Sequence, residues 1–128
     1  MRKVLEGLSG KRVLVVEDEF AVLLLIEDML NELGCEIAGT ATRLSDALRL
    51  AGGAECDAAV LDVNINGENV GPVAETLAAR GIPMVFSTGY GPSGIEARWR
   101  ERPALQKPYR IEEFAAALRR ALTDGGRT

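Results

Sequence analysis

VLVVEDE at residues 13–19 and AAVLD at residues 58–62 are two hydrophobic runs that end in acids. Short apolar, β-branched runs of this kind are typical of strands that are buried on both faces, as in a parallel sheet. Ligands of open α/β sheets bind just beyond the carboxyl ends of such strands. Carboxylates gathered there repel one another unless a cation or a proton joins them. The sequence therefore predicts that Glu17, Asp18 and Asp62 surround a hard metal ion, with one carboxylate left over for chemistry.

Five strand-like runs alternate with five helix-like stretches, which predicts an α/β fold: a doubly wound, five-stranded parallel sheet flanked by five helices. The predicted strands are residues 11–17, 35–40, 57–62, 84–87 and 104–106. The predicted helices are residues 19–33, 44–50, 70–80, a stretch within 89–100, and 111–122. Because three glycines and Pro92 fall between residues 89 and 94, the fourth helix is expected to start late and to be weak. Residues 64–67 are predicted to form a turn.

At 128 residues the chain has the length of one domain, and we expect an extension at 1–10, a folded domain at 11–123 and a frayed tail at 124–128. The net charge of −4 argues against a nucleic-acid partner. No export signal is visible, and the longest apolar run, residues 20–26, is too short to cross a bilayer, so we expect a cytoplasmic protein without a membrane partner. The absence of histidine excludes Ser-His-Asp and Cys-His catalysis and most zinc sites.

Two further polar residues are expected at the same edge of the sheet as the acids. Thr88 follows the fourth predicted strand, and Lys107 follows the fifth, just before Pro108. A hydroxyl and an ammonium group bind phosphoryl oxygens, and a carboxylate held among them can act as a nucleophile. The set is therefore chemically coherent for phosphoryl transfer. The nearby Arg98, Arg100 and Arg102 are interpreted as a solvated helix face.

These motifs resemble the receiver domain of bacterial two-component response regulators, which has a flavodoxin-like fold. The resemblance covers residues 11–122 and rests on Glu17-Asp18, Asp62, Thr88-Gly89 and Lys107-Pro108, in this order at successive strand ends. FSTGY at residues 86–90 and KPY at residues 107–109 are similar to a subfamily with a Phe-Ala-Thr-Gly-hydrophobic signature, many members of which are single-domain proteins.

Two positions depart from the pattern of the family. Ser87 stands where the subfamily usually has alanine, and Ala104 stands where receivers usually carry a tyrosine or phenylalanine on the fifth strand. The usual coupled movement of a threonine and that aromatic ring is therefore not expected here. The resemblance implies a switch formed by Thr88 and Gly89, with Tyr90 as the nearest candidate to replace the missing ring.

The resemblance also implies a role for each residue of the site. Asp62 would accept the phosphoryl group. Asp18 would be a direct Mg²⁺ ligand together with Asp62, Glu17 would act directly or through a water, and the backbone carbonyl of Asn64 would complete the set. Lys107 would pair with Asp62 at rest and with the phosphoryl group afterwards, and Thr88 would donate its hydroxyl to a phosphoryl oxygen.

The implied function is that of a signalling protein rather than an enzyme. It would take a phosphoryl group from a histidine kinase or a histidine phosphotransfer protein, and would then bind a downstream protein or act as a phosphate sink. No output domain is expected, because the chain ends shortly after the last predicted helix. The alternative is a degenerate receiver that docks a partner independently of phosphorylation, for which Ala104 argues mildly. A haloacid dehalogenase-type phosphatase needs a second aspartate where this chain has Asn64, and a flavin or nucleotide site would be repelled by residues 17–19.

Overall fold

The computed structural model describes residues 7–89 and 94–124, and it confirms the predicted α/β fold. The strands are β1 (Arg12–Val16), β2 (Glu36–Ala41), β3 (Ala58–Asp62), β4 (Asn64–Ile65), β5 (Glu68–Asn69), β6 (Met84–Thr88) and β7 (Ala104–Gln106). The helices are α1 (Phe20–Glu32), α2 (Leu44–Gly53), α3 (Gly71–Ala79) and α4 (Ile111–Asp124), with a 3-10 helix at Ala97–Trp99. Five strands form one parallel sheet in the order β2-β1-β3-β6-β7, while β4 and β5 pair antiparallel.

The central strands of the sheet are buried along their whole length. Every residue of β3 and of β6 is buried, which explains why both strands read as continuous apolar runs. Asp62, the last residue of β3, pairs with Ser87 of β6, and Val16 of β1 pairs with Leu61. Because parallel strands in this register end together, the residues that follow them meet at one edge of the sheet.

Two hydrophobic cores lie on opposite faces of the sheet. Helices α1 and α4 cover one face, where Leu30 and Phe114 are fully buried. Helices α2 and α3 and the 3-10 helix cover the other, around Leu77, Phe86 and Trp99. Helices on both faces make the sheet doubly wound, as predicted. Within the described residues, none of the helices combines the length and the apolar character that a bilayer crossing requires.

The number of helices differs from the prediction. Residues 89–100 were expected to contain a fourth α-helix, but the described part of this stretch has 3-10 geometry at Gly94 and at Ala97–Trp99 and no α-helix, so the described residues hold four α-helices rather than five. The stretch is short of good helix formers, because three glycines and Pro92 fall at its start.

Two helix ends and one turn show the larger differences from the predicted boundaries. Helix α2 continues to Gly53, three residues past the predicted end, and Asp124 belongs to α4 rather than to a frayed tail. Residues 64–67, predicted as a turn, contain the first strand of the β4–β5 hairpin, whose turn residues Asn66 and Gly67 have positive φ angles of 52° and 85°. Residues 125–128 lie outside the described residues.

The arginines at residues 98–102 do more than face solvent. The guanidinium groups of Arg98 and Arg102 lie 4.7 and 5.7 Å from the ring centroid of Trp99, which is 8% exposed. Arg98 also forms an ion pair of 2.7 Å with Glu75 on α3. These contacts join the 3-10 helix to α3, while Arg98 and Arg100 remain exposed, as expected of a solvated face.

Candidate functional site

A cavity of about 520 Å³ opens at the carboxyl edge of the sheet. Its described lining comes from the ends of β1, β3, β6 and β7 and from the loops that follow them: Asp18, Glu19, Asp62, Val63, Asn64, Asn69, Thr88, Gly89, Gly94 and Lys107. This is the edge at which the sequence predicted a site. Of the predicted residues, Asp18, Asp62, Asn64, Thr88, Gly89 and Lys107 all lie on its wall.

The three predicted acids come together at this edge. One carboxylate oxygen from each of Glu17, Asp18 and Asp62 lies within 4.8 Å of the other two. Glu17 is fully buried and does not reach the cavity wall, whereas Asp62 is 6% exposed and faces the cavity. Glu17 and Asp18 therefore differ in environment although they are adjacent in sequence.

Lys107 is shared among the acids rather than paired with Asp62 alone. Its Nζ donates to Asp62 Oδ2 at 3.1 Å and to Glu17 Oε2 at 3.2 Å, and it lies 2.9 Å from Glu17 Oε1. The last contact is an ion pair without hydrogen-bond geometry. Glu19 lies further away, at 3.6 Å. A backbone hydrogen bond of 2.8 Å from Lys107 N to Thr88 O holds the lysine beside the end of β6.

The pKa shifts of Glu17 and Lys107 follow from this geometry. Burial raises the pKa of Glu17 to about 7, and the charge of Asp62 adds to the increase, while the hydrogen bond from Lys107 opposes it. Burial lowers the pKa of Lys107, but the hydrogen bonds and charges of Glu17 and Asp62 together outweigh it and raise that pKa. The ammonium is therefore held charged among carboxylates that would otherwise repel one another.

The β4–β5 hairpin supplies backbone donors to two of the acids. The backbone N–H of Asn66 donates to Asp18 Oδ2 at 2.8 Å, and that of Asn64 donates to Asp62 Oδ1 at 3.3 Å. Asn64 was expected at the site from the sequence, whereas Asn66 was not. The Asn-Gly pair at residues 66–67 is the usual signal of a two-residue hairpin turn, so it could have been found.

The predicted switch residues are only partly described. Thr88 ends β6 and is 3% exposed, and Gly89 follows it on the cavity wall. A Cβ added at Gly89 would meet no described atom within 4 Å. Tyr90 lies outside the described residues. Ala104, at the position where a ring is usual, is exposed on β7.

A buried hydroxyl pair beside the site was not predicted. Ser87 Oγ and Tyr109 Oη lie 3.3 Å apart, and both residues are buried. The Tyr109 ring stacks on Phe114 with centroids 5.9 Å apart, and burial raises the pKa of its hydroxyl. Since Tyr109 follows Lys107 by two residues, this contact anchors the segment that carries the lysine. The sequence signal was the same Ser87 that departs from the subfamily.

The donor atoms of the site fit a hard divalent cation. Among the described residues, the cluster brings carboxylate oxygens from three acids together with the ammonium group of Lys107, and Mg²⁺ takes oxygen ligands of this type. Three carboxylates beside one ammonium group leave an excess of negative charge in this part of the structure, which a divalent ion would neutralise.

Comparison with known proteins agrees with the fold. Residues 13–119 match the family model of the response regulator receiver domain, so the chain belongs to this family of two-component signalling proteins. The resemblance found in the sequence is thereby confirmed.

The relatives include proteins of different lengths. The chain is 29% identical over 117 residues to the transcriptional regulatory protein PdtaR of Mycobacterium tuberculosis, covering 88% of this chain and 57% of that protein. The solution structure of SdrG from Sphingomonas melonis Fr1 is similar with a TM-score of 0.78 and 44% identity, covering 91% of this chain and 97% of that one. The response regulator PhyR of Brucella abortus matches with a TM-score of 0.79 and 26% identity, over 94% of this chain and 51% of that one. The chain thus spans little more than half the length of PdtaR and of PhyR.

Proposed function

We propose that this chain is a receiver domain that accepts a phosphoryl group on Asp62 in a Mg²⁺-dependent reaction. The observation that carries the proposal is the joint position of Asp62 and Asp18 on one cavity wall, with Lys107 Nζ 3.1 Å from Asp62 Oδ2. A second support is the solution structure of SdrG in its BeF3-activated conformation, which is 42% identical to this chain.

Each residue has a defined part in the proposed transfer. A bond forms between an Asp62 carboxylate oxygen and phosphorus as the bond from phosphorus to the donor's histidine nitrogen breaks, and the electron pair returns to the donor. Lys107 then pairs with the phosphoryl oxygens, and the Thr88 hydroxyl donates to one of them. Because phosphoryl transfer depends mainly on positioning and charge neutralisation, these contacts supply most of what the protein contributes. The protein takes part in its own modification and is not otherwise an enzyme.

The proposed metal ligands are the carboxylates of Asp18 and Asp62 and the backbone carbonyl of Asn64. Mg²⁺, when bound, supplies positive charge that offsets the charge of the phosphoryl oxygens. Glu17 is buried behind the cavity wall and is paired with Lys107. Of its two expected roles, direct ligation of Mg²⁺ and contact with Mg²⁺ through a water, we therefore favour the second. The ion pair also lets Glu17 hold Lys107 in place while Asp62 changes charge.

The proposed phosphodonor is a histidine kinase or a histidine phosphotransfer protein. Phe20, Leu24 and Leu25 on α1 are 67%, 45% and 48% exposed, and Phe20 directly follows Glu19 on the cavity wall. Exposed apolar side chains beside a polar site are typical of surfaces that bind another protein. We propose that the donor rests on them while its phosphohistidine enters the cavity. Output would follow by contact with a downstream protein or by drainage of phosphate from a shared kinase.

Incubation with acetyl phosphate, followed by intact mass measurement, tests the proposal. With Mg²⁺ the wild-type chain should gain the mass of one phosphoryl group, and EDTA should prevent the gain. Asp62→Asn should gain none, while the matched control Asp28→Asn, on the exposed face of α1, should behave as the wild type.

Two outcomes would overturn the proposal. One is an adduct of the same extent in Asp62→Asn, and the other is a folded wild-type chain that gains no mass. The second outcome, joined to a binding partner that ignores Asp62→Asn, would favour the phosphorylation-independent docking module, for which the exposed Ala104 is the supporting observation.

A further inference from the structure

The β4–β5 hairpin follows shortly after Asp62, and contacts with its surroundings hold it in place. Its turn residues, Asn66 and Gly67, both have positive φ angles, as a two-residue turn of this kind requires. Ile65 on β4 is fully buried in the core, and it anchors the hairpin from below. Asn69 Oδ1 accepts a hydrogen bond of 2.7 Å from the Gly71 backbone N–H, which fixes the exit of the hairpin to the start of α3.

Three hydrogen bonds hold the turn in place, and one of them reaches an acid of the site. The Asn66 backbone N–H donates to Asp18 Oδ2 at 2.8 Å, and the Asn66 side-chain amide donates to Thr42 O at 3.0 Å. The Gly67 backbone N–H donates to Asn64 Oδ1 at 2.8 Å. The turn therefore joins the loop after β1 to the loop after β2, and it fixes the orientation of the Asp18 carboxylate.

These bonds limit how the acids can bind a cation. Asp18 Oδ2 already accepts from the Asn66 N–H, so Oδ1 is the oxygen of this carboxylate that is freer to bind a cation. At Asp62, Oδ1 accepts from the Asn64 N–H and Oδ2 from Lys107, and each oxygen keeps a second lone pair with which it can bind a cation from one side. Ca²⁺ takes six to eight oxygens and commonly binds both oxygens of a carboxylate, whereas Mg²⁺ takes six, often one per carboxylate, and keeps several waters. Carboxylates restricted in this way suit Mg²⁺ better than Ca²⁺.

We propose that Asn66 is a positioning residue whose backbone N–H holds Asp18 as a one-oxygen ligand and so sets the preference of the site for Mg²⁺ over Ca²⁺. The inference rests on the proposed function, in which the acidic site binds Mg²⁺. It adds the element that controls which cation the site accepts.

Calorimetric titration of the folded protein with MgCl₂ and with CaCl₂ tests this role. Asn66→Pro removes the N–H and cannot adopt a positive φ angle. This variant should bind Mg²⁺ about tenfold more weakly, which is the loss usual when a hydrogen-bond partner of a metal ligand is removed. Its Ca²⁺ affinity should fall less, so the ratio of Mg²⁺ to Ca²⁺ affinity should decrease. Asn66→Gly keeps the N–H and the turn conformation and loses only the contact with Thr42, so it should lose less Mg²⁺ affinity than the proline variant does.

The outcomes separate this inference from the proposed function. A wild-type chain that binds no Mg²⁺ overturns both. A wild-type chain that binds Mg²⁺, with an Asn66→Pro variant whose Mg²⁺ and Ca²⁺ affinities both match it, overturns the inference alone.

If Asn66→Pro fails to fold, the wild-type amide of Asn66 answers the question instead. Hydrogen exchange of that amide should be at least about tenfold slower than in a peptide of the same sequence, since it is bonded to a carboxylate. Its NMR signal should also shift on Mg²⁺ addition. An unprotected amide that ignores Mg²⁺ would contradict the proposed role.

Discussion

Glu17 shows how much one buried carboxylate changes the electrostatics of the site. Its Oε2 accepts both from Lys107 Nζ at 3.2 Å and from the Glu19 backbone N–H at 3.1 Å, and burial raises its pKa from 4.5 to about 7. The sequence predicted that Glu17 would join the cluster, because it follows a buried strand. It did not predict that Lys107 would lie as close to Glu17 as to Asp62, since that depends on the path of the chain after β7.

The raised pKa of Glu17 predicts a pH dependence of stability. Between pH 4.5 and 7 the folded chain binds this proton and the unfolded chain does not, so the free energy of unfolding should decrease as pH rises through this range. Without Mg²⁺, Glu17→Gln should remove up to roughly 3 kcal/mol of that decrease. Urea unfolding in EDTA at pH 5 and pH 8 measures it, with the exposed Glu32→Gln as control. Equal decreases in wild type and Glu17→Gln would show that Glu17 is not buried as described.

The hydroxyl pair of Ser87 and Tyr109 gives a second prediction for single residues. Either Ser87→Ala or Tyr109→Phe leaves one buried hydroxyl without this partner, at a cost of about 1 kcal/mol in the free energy of unfolding. The double variant should cost less than the sum of the two, because the second change removes the unpaired group. Urea unfolding of all four proteins gives the coupling. Strict additivity would mean that the two hydroxyls do not interact.

At the level of the elements, the sequence predicted best where local pattern and tertiary burial agree. The five strands of the sheet and helices α1, α3 and α4 were expected within a few residues, because apolar periodicity reflects burial directly. Gly34, with a φ angle of 78°, follows the predicted end of α1 at residue 33, and the Cys35 N–H closes the cap on Leu30 O. The stretch after β6 was predicted less well, since its conformation depends on contacts with β6 and α3 rather than on propensity.

The segment before β1 gives a prediction about the stability of the fold. Leu8, within the extension expected at 1–10, is fully buried in the core under α1 and α4, and its carbonyl accepts from Lys11 N at 3.0 Å. Leu8→Ala should therefore reduce the free energy of unfolding by about 2–4 kcal/mol. Leu24→Ala, at a leucine that is 45% exposed, should change it by less than about 0.5 kcal/mol. Denaturant unfolding compares the two, and similar small losses would place Leu8 outside the core.

At the scale of the whole molecule, the site is a consequence of the parallel sheet. Residues 44 or more positions apart, such as Asp18, Asp62 and Lys107, meet because β1, β3 and β7 end at the same edge. Once the strands were placed in the sequence, this convergence could be predicted without any contact being known. The unequal burial of Glu17 and Asp18 could not, because it depends on the hairpin and on the exact path of Lys107. The family model matches residues 13–119, which include the strands of the sheet, apart from Arg12, and the residues at their carboxyl ends.

Chemical location of the phosphoryl group tests the central claim most directly. After treatment with acetyl phosphate and Mg²⁺, borohydride reduction converts a phosphorylated aspartate into homoserine, and peptide mass spectrometry then locates that residue. The structure predicts homoserine at position 62 only, and none when EDTA is present. Modification of Asp18 in place of Asp62, or modification at position 62 that does not need a divalent ion, would contradict a magnesium-dependent acceptor at the end of β3.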